Sequence, residues 1–336
     1  MAKTKKTEEA RIYGDIDALT SRIEKKYGNG SILSKNSKPI ENVRFIPTGI
    51  MSLDCALGGG IPVGRIIEVF GPESSGKSTL CLHIIAMFQR LKKTAMFIDA
   101  EYAYDPKYAT RFGVTDDILL SQPDSGEQAL GMVEEAVLSR AVDIVVIDSV
   151  AALVPQAEVE GEMGQSHMGL QARMMSQALR KLSAVISKTK CSVIFINQIR
   201  MKIGILYGNP ETTTGGNALK FYSSQRIDVR RISTIPKKSD FPKGIVQRVK
   251  IVKNKVAPPF RNTELDLMFK TGYNVAKDLF EMAVDFEIIE KSVGWYSYEG
   301  EKIGHGEDDA INWLRKNKDQ RKLIRKKVRE TYEAQN

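Results

Sequence analysis

The sequence predicts an α/β protein built around a mostly parallel sheet, and three observations carry that prediction. Short strands that are apolar throughout alternate with helical stretches along the middle of the chain. A glycine-rich loop separates the first of these strands from the helix that follows it. Beyond Arg226 the pattern changes to strands of alternating polarity. Apolar strands separated by helices are typical of a parallel sheet covered on both faces.

The individual elements follow from the hydrophobic pattern of each segment. Continuous apolar runs predict parallel strands at residues 66–70, 95–99, 118–120, 144–148 and 193–197. Apolar residues at helical spacing predict helices between them at residues 77–91, 127–139 and 170–187. Alternating patterns at residues 226–232, 247–252 and 264–269 predict strands that extend the sheet antiparallel.

Three regions can be separated along the chain. Residues 1–38 contain a helix with Ile16, Leu19, Ile23 and Tyr27 at helical spacing, and Gly28 is placed to cap its C-terminus. Residues 39–273 contain the predicted sheet. Residues 274–336 form an α+β region with a helix, a hairpin at residues 295–298 and two further helices.

The charge is basic, with 50 Lys and Arg against 41 Asp and Glu. The excess is concentrated in residues 314–336, which suits a polyanionic partner such as nucleic acid. A terminal helix with a solvated basic face is the alternative. No apolar run reaches the roughly 20 residues of a membrane span, and the charged N-terminus lacks the apolar segment of a secretion signal. We therefore expect a cytoplasmic protein.

Three cysteines, Cys55, Cys81 and Cys191, are widely spaced in apolar surroundings. Their spacing includes no C-x-x-C pair, and too few histidines are near for a zinc site. They are interpreted as reduced core residues.

Residues 71–79 fit the phosphate-binding pattern G-x-x-x-x-G-K-[ST] between a strand and a helix. Glycines let the backbone curl so that its N–H groups point at phosphate oxygens, and the helix N-terminus adds a positive dipole end. The lysine supplies a point charge for the β- and γ-phosphates, and the hydroxyl after it can bind Mg²⁺. An accidental glycine-rich turn is the alternative. The predicted nucleotide-binding residues of the loop are Gly71, Pro72, Glu73, Ser74, Ser75, Gly76, Lys77, Ser78 and Thr79.

Polar side chains follow three of the predicted parallel strands. Asp148 is placed to hold Mg²⁺, Glu101 to orient an attacking water, and Gln198 to contact a γ-phosphate. Each alone could be a loop residue that caps a helix or faces solvent. Because ligands bind at the carboxyl ends of parallel strands, the three together with the phosphate loop predict a site for nucleotide hydrolysis.

Two long segments, about residues 160–168 and 199–213, lack periodicity and are predicted to be functional loops. Arg200 and Lys202 could track a phosphate backbone, and apolar side chains of the same loop could insert between bases. These apolar residues are Met201, Ile203 and Ile205. The second loop begins directly after Gln198, so γ-phosphate contact could order it. Two flexible surface insertions are the alternative.

Several segments resemble the RecA family of bacterial recombinases. The resemblance runs in order from about Tyr27 to Val328 and is carried by residues 71–79, 97–101, 161–164, 171–177, 195–200, 209–222 and 253–255. It implies a RecA-type P-loop ATPase core with a mostly parallel sheet, a small N-terminal helical segment and a small α+β C-terminal domain.

The resemblance also implies an activity and partners. Members of this family are DNA-dependent ATPases that use ATP and Mg²⁺, form helical filaments on single-stranded DNA, and exchange strands with homologous duplex. Activated filaments promote self-cleavage of SOS repressors of the LexA type. By the same resemblance, residues 1–38 dock neighbouring subunits and residues 274–336 contact duplex DNA.

The resemblance assigns residue roles as well. Glu101 is the general base, Lys77 and Gln198 complete the catalytic set, and Asp105 and Tyr108 contact adenine. Lys253 and Lys255 reach ATP from the neighbouring subunit, although solvated surface lysines are the alternative, and the subunit interface includes Lys220 and Phe221. The implied DNA-binding residues are Met163, Gly164, Arg173, Arg180, Ile199, Arg200, Met201, Lys202, Ile203 and Asn217.

The sequence departs from the family pattern at two positions. Phe269 stands where tyrosine is common, so a hydroxyl near the adenine is lost, and Ser78 replaces a commoner threonine. Two other functions stay open at this point: a hexameric helicase or motor on the same core, and a non-enzymatic nucleotide-binding regulator.

Overall fold

The structure is a computed structural model, and it describes residues 16–29, 31–32, 43–162, 169–202, 204, 208 and 210–335. The chain divides into two compact units, Met1–Val43 and Arg44–Asn336. In the first unit, helix α1 (Ile16–Tyr27) is followed by Gly28, whose φ of 98° is in the left-handed region. The predicted helix is confirmed there, and Gly28 has the backbone conformation expected of a C-cap.

The second unit holds all the other described elements. Its strands are β1 (Phe45–Ile46), β2 (Ile61–Pro62), β3 (Ile66–Gly71), β4 (Ala95–Asp99), β5 (Leu119–Ser121), β6 (Ile144–Asp148), β7 (Ser192–Met201), β8 (Glu211–Thr213), β9 (Gln225–Ile235), β10 (Gly244–Asn254), β11 (Asn262–Met268), β12 (Gly272–Tyr273), β13 (Glu290–Ser292), β14 (Trp295–Tyr298) and β15 (Glu301–His305). Its helices are α2 (Met51–Leu57), α3 (Lys77–Arg90), α4 (Pro106–Arg111), α5 (Gly126–Ser139), α6 (Gln156–Val159), α7 (Leu170–Thr189), α8 (Ala218–Tyr222), α9 (Val275–Asp285), α10 (Glu307–Lys316) and α11 (Lys318–Gln335).

Within the described ranges, ten strands form one large sheet. Nine of them follow the order β12-β11-β10-β9-β3-β7-β6-β4-β5, and β8 pairs beside β7. The five strands predicted to be parallel, β3 to β7, are parallel. Strands β3 and β6 are buried at every position, as their continuous apolar runs indicated. The predicted α/β fold with a mostly parallel sheet is confirmed.

Strand β9 differs from its predicted direction. It pairs parallel with β3, from the pair Ile67–Gln225 to the pair Phe70–Asp228, and antiparallel with β10. The connection through β8 and α8 returns the chain to the edge at which β3 starts, where Ser224 N–H donates to the Ile66 carbonyl oxygen. The antiparallel extension therefore begins one strand later than the alternating pattern suggested.

Two apolar clusters cover the faces of the large sheet. One joins Leu53 of α2 and Leu80 and Ile84 of α3 to residues of β3 and β10. The other joins Val133 of α5 and Leu179 of α7 to residues of β6 and β7. In open sheets of this kind, the carboxyl ends of the parallel strands are the edge at which ligands bind.

A third cluster organises the C-terminal elements. Residues of α9, α10, α11 and the small antiparallel sheet β13-β14-β15 pack with Met51 and Cys55 of α2. The hairpin predicted at residues 295–298 is the central strand of that three-stranded sheet. The C-terminal elements therefore share a core with a helix from the N-terminal end of the same unit.

Two further features of the molecule are the state of its cysteines and the apolarity of its helices. Cys55, Cys81 and Cys191 are free and buried, as predicted. In the described part of the chain, no helix combines the length and apolarity needed to cross a membrane.

Candidate functional site

The predicted phosphate loop lies between β3 and α3 and has a backbone that requires its glycines. Gly76 has a φ of 85°, and a Cβ atom there would lie 2.1 Å from Nε2 of Gln247. A Cβ atom on Gly71 would lie 2.0 Å from the Val229 carbonyl oxygen. The loop is therefore pressed against β9 and β10, and neither position accepts a side chain.

The side chain of Lys77 is hydrogen-bonded to the backbone of the phosphate loop to which it belongs. Its side chain is buried, and Nζ donates to the Pro72 carbonyl oxygen at 2.7 Å. Burial lowers the pKa of Lys77, and the charges of Asp148 and Glu101 oppose that shift. The ammonium is thus bonded to the loop backbone and lies near both carboxylates.

The two predicted metal ligands come together in the structure. The Ser78 side chain is hydrogen-bonded to the carboxyl of Asp148, which ends β6 and is 8 % exposed. Burial raises the pKa of Asp148 to about 6, with Glu101 and Asp99 adding to the effect. A hydroxyl and a carboxylate oxygen at one point are a donor set that fits Mg²⁺.

Glu101 and Gln198 are also brought into contact. Gln198 Nε2 donates to Glu101 Oε1 at 3.0 Å, and the Ser149 hydroxyl donates to the same oxygen at 2.6 Å. Sequence reasoning missed Ser149, although it directly follows Asp148 in the polar strand end. The candidate base is therefore held from two neighbouring strand ends.

A second missed residue shapes the loop that carries Glu101. Asp99 is 1 % exposed, and its carboxylate accepts from the N–H groups of Ala103 and Tyr104 at 3.1 and 3.0 Å. Gln122 Nε2 donates to it at 2.9 Å. These bonds wrap the chain after β4 around Asp99, which fixes the position from which Glu101 projects.

Of the two predicted adenine contacts, Tyr108 lies beside the phosphate loop and Asp105 caps a neighbouring helix. The Tyr108 hydroxyl is 2.9 Å from the hydroxyl of Thr79, the last residue of the loop. Asp105 caps α4 by accepting from the Lys107 N–H at 2.8 Å. Phe269, at the position where the family commonly has tyrosine, is partly exposed.

The second predicted loop begins and ends in paired strands that the sequence did not indicate. Strand β7 continues to Met201, and β8 runs antiparallel beside its end, pairing Ile199 with Thr213 and Arg200 with Thr212. Residues 199–202 and 210–213 together form a two-stranded ribbon, the β7–β8 ribbon. Arg200, Met201 and Lys202 are exposed on this ribbon. The interpretation of residues 199–213 as wholly irregular is therefore wrong at both ends, because backbone pairing, not side-chain pattern, forms the ribbon.

The other predicted DNA contacts have different surroundings. Arg173 and Arg180 are exposed on α7, and their i, i+7 spacing puts them on one face of that helix. Asn217 is exposed at the start of α8. Three predicted contacts, Met163, Gly164 and Ile203, lie outside the described residues.

Asn197 ties the base of the ribbon to the sheet. Its Nδ2 donates to Glu68 at 3.0 Å and to the Thr214 carbonyl oxygen at 3.1 Å, and its Oδ1 accepts from the Gln198 N–H at 2.9 Å. Glu68 is fully buried and forms an ion pair with Arg226 at 2.5 Å. Sequence reasoning missed this anchor, although Glu68 is a charged residue inside an apolar strand.

The residues predicted for subunit contact form one group at the C-terminus of α8. Lys253 Nζ donates to the Lys220 and Phe221 carbonyl oxygens at 2.5 and 3.0 Å, and Lys255 Nζ donates to the latter at 3.0 Å. Burial, followed by the charges of Lys255 and Arg226, lowers the pKa of Lys253 to about 8. Phe221 is 72 % exposed.

The fold and the site define a P-loop ATPase core of the RecA type. Models of the RecA N-terminal domain and the RecA C-terminal domain match residues 15–274 and 277–333. The chain belongs to the RecA family.

Similar proteins cover nearly the whole chain. Protein RecA of Syntrophus aciditrophicus (strain SB) is 57% identical over 317 residues, which are 94% of this chain and 92% of that protein. Protein RecA 2 of Myxococcus xanthus is 56% identical over 94% of this chain and 89% of its own length. Protein RecA of Bordetella pertussis (strain Tohama I) is 54% identical over 98% of this chain and 94% of its own length.

A solved structure gives independent support for the fold. The crystal structure of the RadB recombinase superposes with a TM-score of 0.51 at 19% identity, covering 68% of this chain and 98% of its own. At that identity the likeness concerns the fold alone.

Proposed function

We propose that this protein is a DNA-dependent ATPase and homologous recombinase that forms a helical filament on single-stranded DNA and exchanges strands with homologous duplex. The observation that carries the proposal is the hydrogen bond between Gln198 and Glu101. Gln198 lies on β7, which continues directly into the exposed β7–β8 ribbon. One side chain thus connects the candidate base to the candidate DNA loop.

The proposed hydrolysis uses the residues at the strand ends. The loop amides and Lys77 bind the β- and γ-phosphates of ATP, and Glu101 accepts a proton from the attacking water. Ser78 and Asp148 would hold Mg²⁺, which supplies positive charge against the charge on the phosphate oxygens. Asp105 and Tyr108 bind the adenine beside the loop.

Gln198 couples this chemistry to DNA. A γ-phosphate oxygen is a stronger acceptor than a carboxylate already shared with Ser149, so ATP draws the Gln198 amide away from Glu101. That movement frees the base and shifts the end of β7, where the ribbon begins. If ATP strengthens DNA binding to the shifted ribbon by some factor, then by linkage DNA strengthens ATP binding by that same factor.

Most of the proposed DNA contacts lie in the part of the chain that the structure describes, and three of them, Met163, Gly164 and Ile203, lie outside it. Arg173 and Arg180 on α7 and Arg200 and Lys202 on the ribbon bind the DNA backbone, and Asn217 assists. Ile199, Met201 and Ile203 supply apolar contact, and Met163 and Gly164 belong to the first loop. Such binding weakens steeply with salt because phosphate contacts release counterions.

The proposed filament joins copies head to tail. Phe221 and Lys220 lie at the interface, and Lys253 and Lys255 reach the ATP of the adjacent copy. A contact of this kind does not close on itself and so generates a helix. Residues 1–38 dock the neighbouring copy, residues 39–273 are the ATPase core, and residues 274–336 contact duplex DNA.

Further partners and the location of the protein complete the proposal. The filament promotes self-cleavage of an SOS repressor of the LexA type. The protein acts in the cytoplasm.

The decisive experiment measures ATP hydrolysis with and without single-stranded DNA. We expect strong stimulation by DNA, and we expect Glu101→Gln to reduce kcat by about 10²–10⁴-fold while ADP still binds. Glu135→Gln, an exposed change on α5, is the matched control and should hydrolyse ATP normally. Absence of stimulation, or unchanged turnover in Glu101→Gln, would contradict the proposal.

Electron micrographs with ATP and single-stranded DNA test the assembly. Open helical filaments are expected, and they should be shortened by Phe221→Ala because that exposed ring is removed from the interface. A closed ring would favour the helicase alternative instead.

A further inference from the structure

One polar side chain interrupts the apolar face of β10. Ile245, Gln247, Val249 and Ile251 alternate along the strand and all face inward. Gln247 is 0 % exposed. A buried amide among aliphatic residues is costly unless its donors and acceptor are satisfied, so its partners show what it does.

The amide of Gln247 is bonded at both ends. Its Nε2 donates to the carbonyl oxygen of Ser75, in the phosphate loop, and the buried Tyr273 hydroxyl donates to its Oε1 at 2.7 Å. Because Tyr273 can donate to the oxygen and the Ser75 carbonyl can only accept, the orientation of the amide is determined.

This contact fixes the direction of one peptide group in the loop. The Ser75 carbonyl points into the core toward Gln247, so the Gly76 N–H, which is anti to it across a planar trans peptide, points away from the core. A loop that binds phosphate needs its N–H groups on that side.

Gln247 also occupies the space that a side chain at position 76 would need. A Cβ atom on Gly76 would lie 2.1 Å from Gln247 Nε2. The left-handed φ of Gly76 and the position of the amide are therefore matched.

We propose that Gln247 is a positioning residue for phosphate binding, held in its orientation by Tyr273. It does not touch the nucleotide, and it acts through the Ser75–Gly76 peptide group. The inference rests on the proposed binding of nucleotide at the phosphate loop.

The test compares two buried glutamines. Gln247→Met keeps the volume and removes the amide, and Gln225→Met does the same where Nε2 donates to the Leu57 carbonyl oxygen, outside the loop. Titration with a fluorescent ADP analogue should show Kd raised roughly tenfold in Gln247→Met, the size of one hydrogen bond, and unchanged in Gln225→Met. Gln247→Met should lose more thermal stability than Gln225→Met, because it breaks two hydrogen bonds and Gln225→Met breaks one.

Adenosine separates positioning from a general structural role. It lacks phosphates, so Gln247→Met should bind it as the unchanged protein does. An ADP Kd within twofold of the unchanged protein, or equal weakening of ADP and adenosine, would overturn the inference. If the unchanged protein binds no ADP at all, the proposed function fails instead.

Tyr273→Phe provides a second variant that keeps the ring and removes the hydroxyl. We expect ADP affinity to fall about threefold, since the amide loses its orientation but keeps its place. Should Gln247→Met not fold, an unchanged ADP affinity in Tyr273→Phe would reject the proposal.

Discussion

Two titratable side chains meet at the buried residue Thr48. His83 Nε2 donates to the Thr48 carbonyl oxygen at 2.9 Å, and Asp54 Oδ1 accepts from the Thr48 N–H at 2.6 Å and from its hydroxyl at 2.7 Å. Burial raises the pKa of Asp54 from 3.8 to about 6 and lowers the pKa of His83 from 6.5 to about 4. Folding thus favours the neutral form of both.

These shifts give opposite dependences of stability on pH. The contribution of Asp54 is complete below pH 3.8 and is lost as pH rises through about 6. The contribution of His83 is complete above pH 6.5 and is lost as pH falls through about 4. Each pKa shift corresponds to about 3 kcal/mol of unfolding free energy. Because the two contributions change in opposite directions, they largely cancel between about pH 4 and pH 6.

We predict that single substitutions reveal the two opposite pH dependences of stability. On acidification from pH 6.5 to pH 4.5, Asp54→Asn should lose about 2 kcal/mol more unfolding free energy than the unchanged protein, because only His83 then responds. His83→Gln should lose about 2 kcal/mol less. Urea unfolding at several pH values measures both, and three parallel stability curves would contradict the prediction.

At the scale of elements, one ion pair links three adjacent strands of the sheet. Glu68 of β3 contacts Asn197 of β7 and Arg226 of β9. Glu68 is fully buried, and the Arg226 side chain is 16 % exposed. The strands that carry the phosphate loop and the ribbon are therefore joined at one buried charge.

We predict that Glu68→Gln lowers the unfolding free energy by about 3 kcal/mol, because the guanidinium of Arg226 stays largely buried without its carboxylate. Urea denaturation measures the loss. The control is Glu264→Gln, which breaks a pair with Arg248 whose side chains are 53 % and 54 % exposed. It should cost under about 1 kcal/mol. Equal losses in the two variants would show that Glu68 has no special role.

At the scale of the whole second unit, Asp278 of α9 caps a helix 227 residues earlier in the chain. Its Oδ2 accepts from the Met51 N–H at 2.6 Å and the Ser52 N–H at 3.2 Å. The N-cap residue of α2, Ile50, makes no side-chain cap of its own. The C-terminal elements thus satisfy donors that α2 could not satisfy locally.

We predict that Asp278→Ala lowers the unfolding free energy by about 2–3 kcal/mol, because the buried Met51 N–H and the partly buried Ser52 N–H lose their acceptor. Amide hydrogen exchange should accelerate in α2 and α9 before the central sheet. Asp285→Ala, an exposed change on the same helix, is the control and should change neither quantity. Uniform acceleration across the molecule would contradict a local cap.

The parts of the site that lie close together in sequence could be predicted. Lys77 and Ser78 follow from a contiguous pattern, and Asp148 follows from its place at the end of an apolar strand. Their meeting was predictable too, because parallel strands bring their carboxyl ends to one edge of a sheet. The direction of β9 could not be predicted, because alternating polarity indicates which face of a strand is buried and does not indicate which strand is its neighbour.

The sequence by itself determined the class of fold, the phosphate loop and the family, because those depend on local patterns and contiguous motifs. Only the tertiary structure decided that Gln247 supports Ser75, that Ser149 shares Glu101 with Gln198, and that Asp278 caps α2. These are polar contacts between residues far apart in the chain. Their partners depend on which strands and helices become neighbours, and no local pattern encodes that choice.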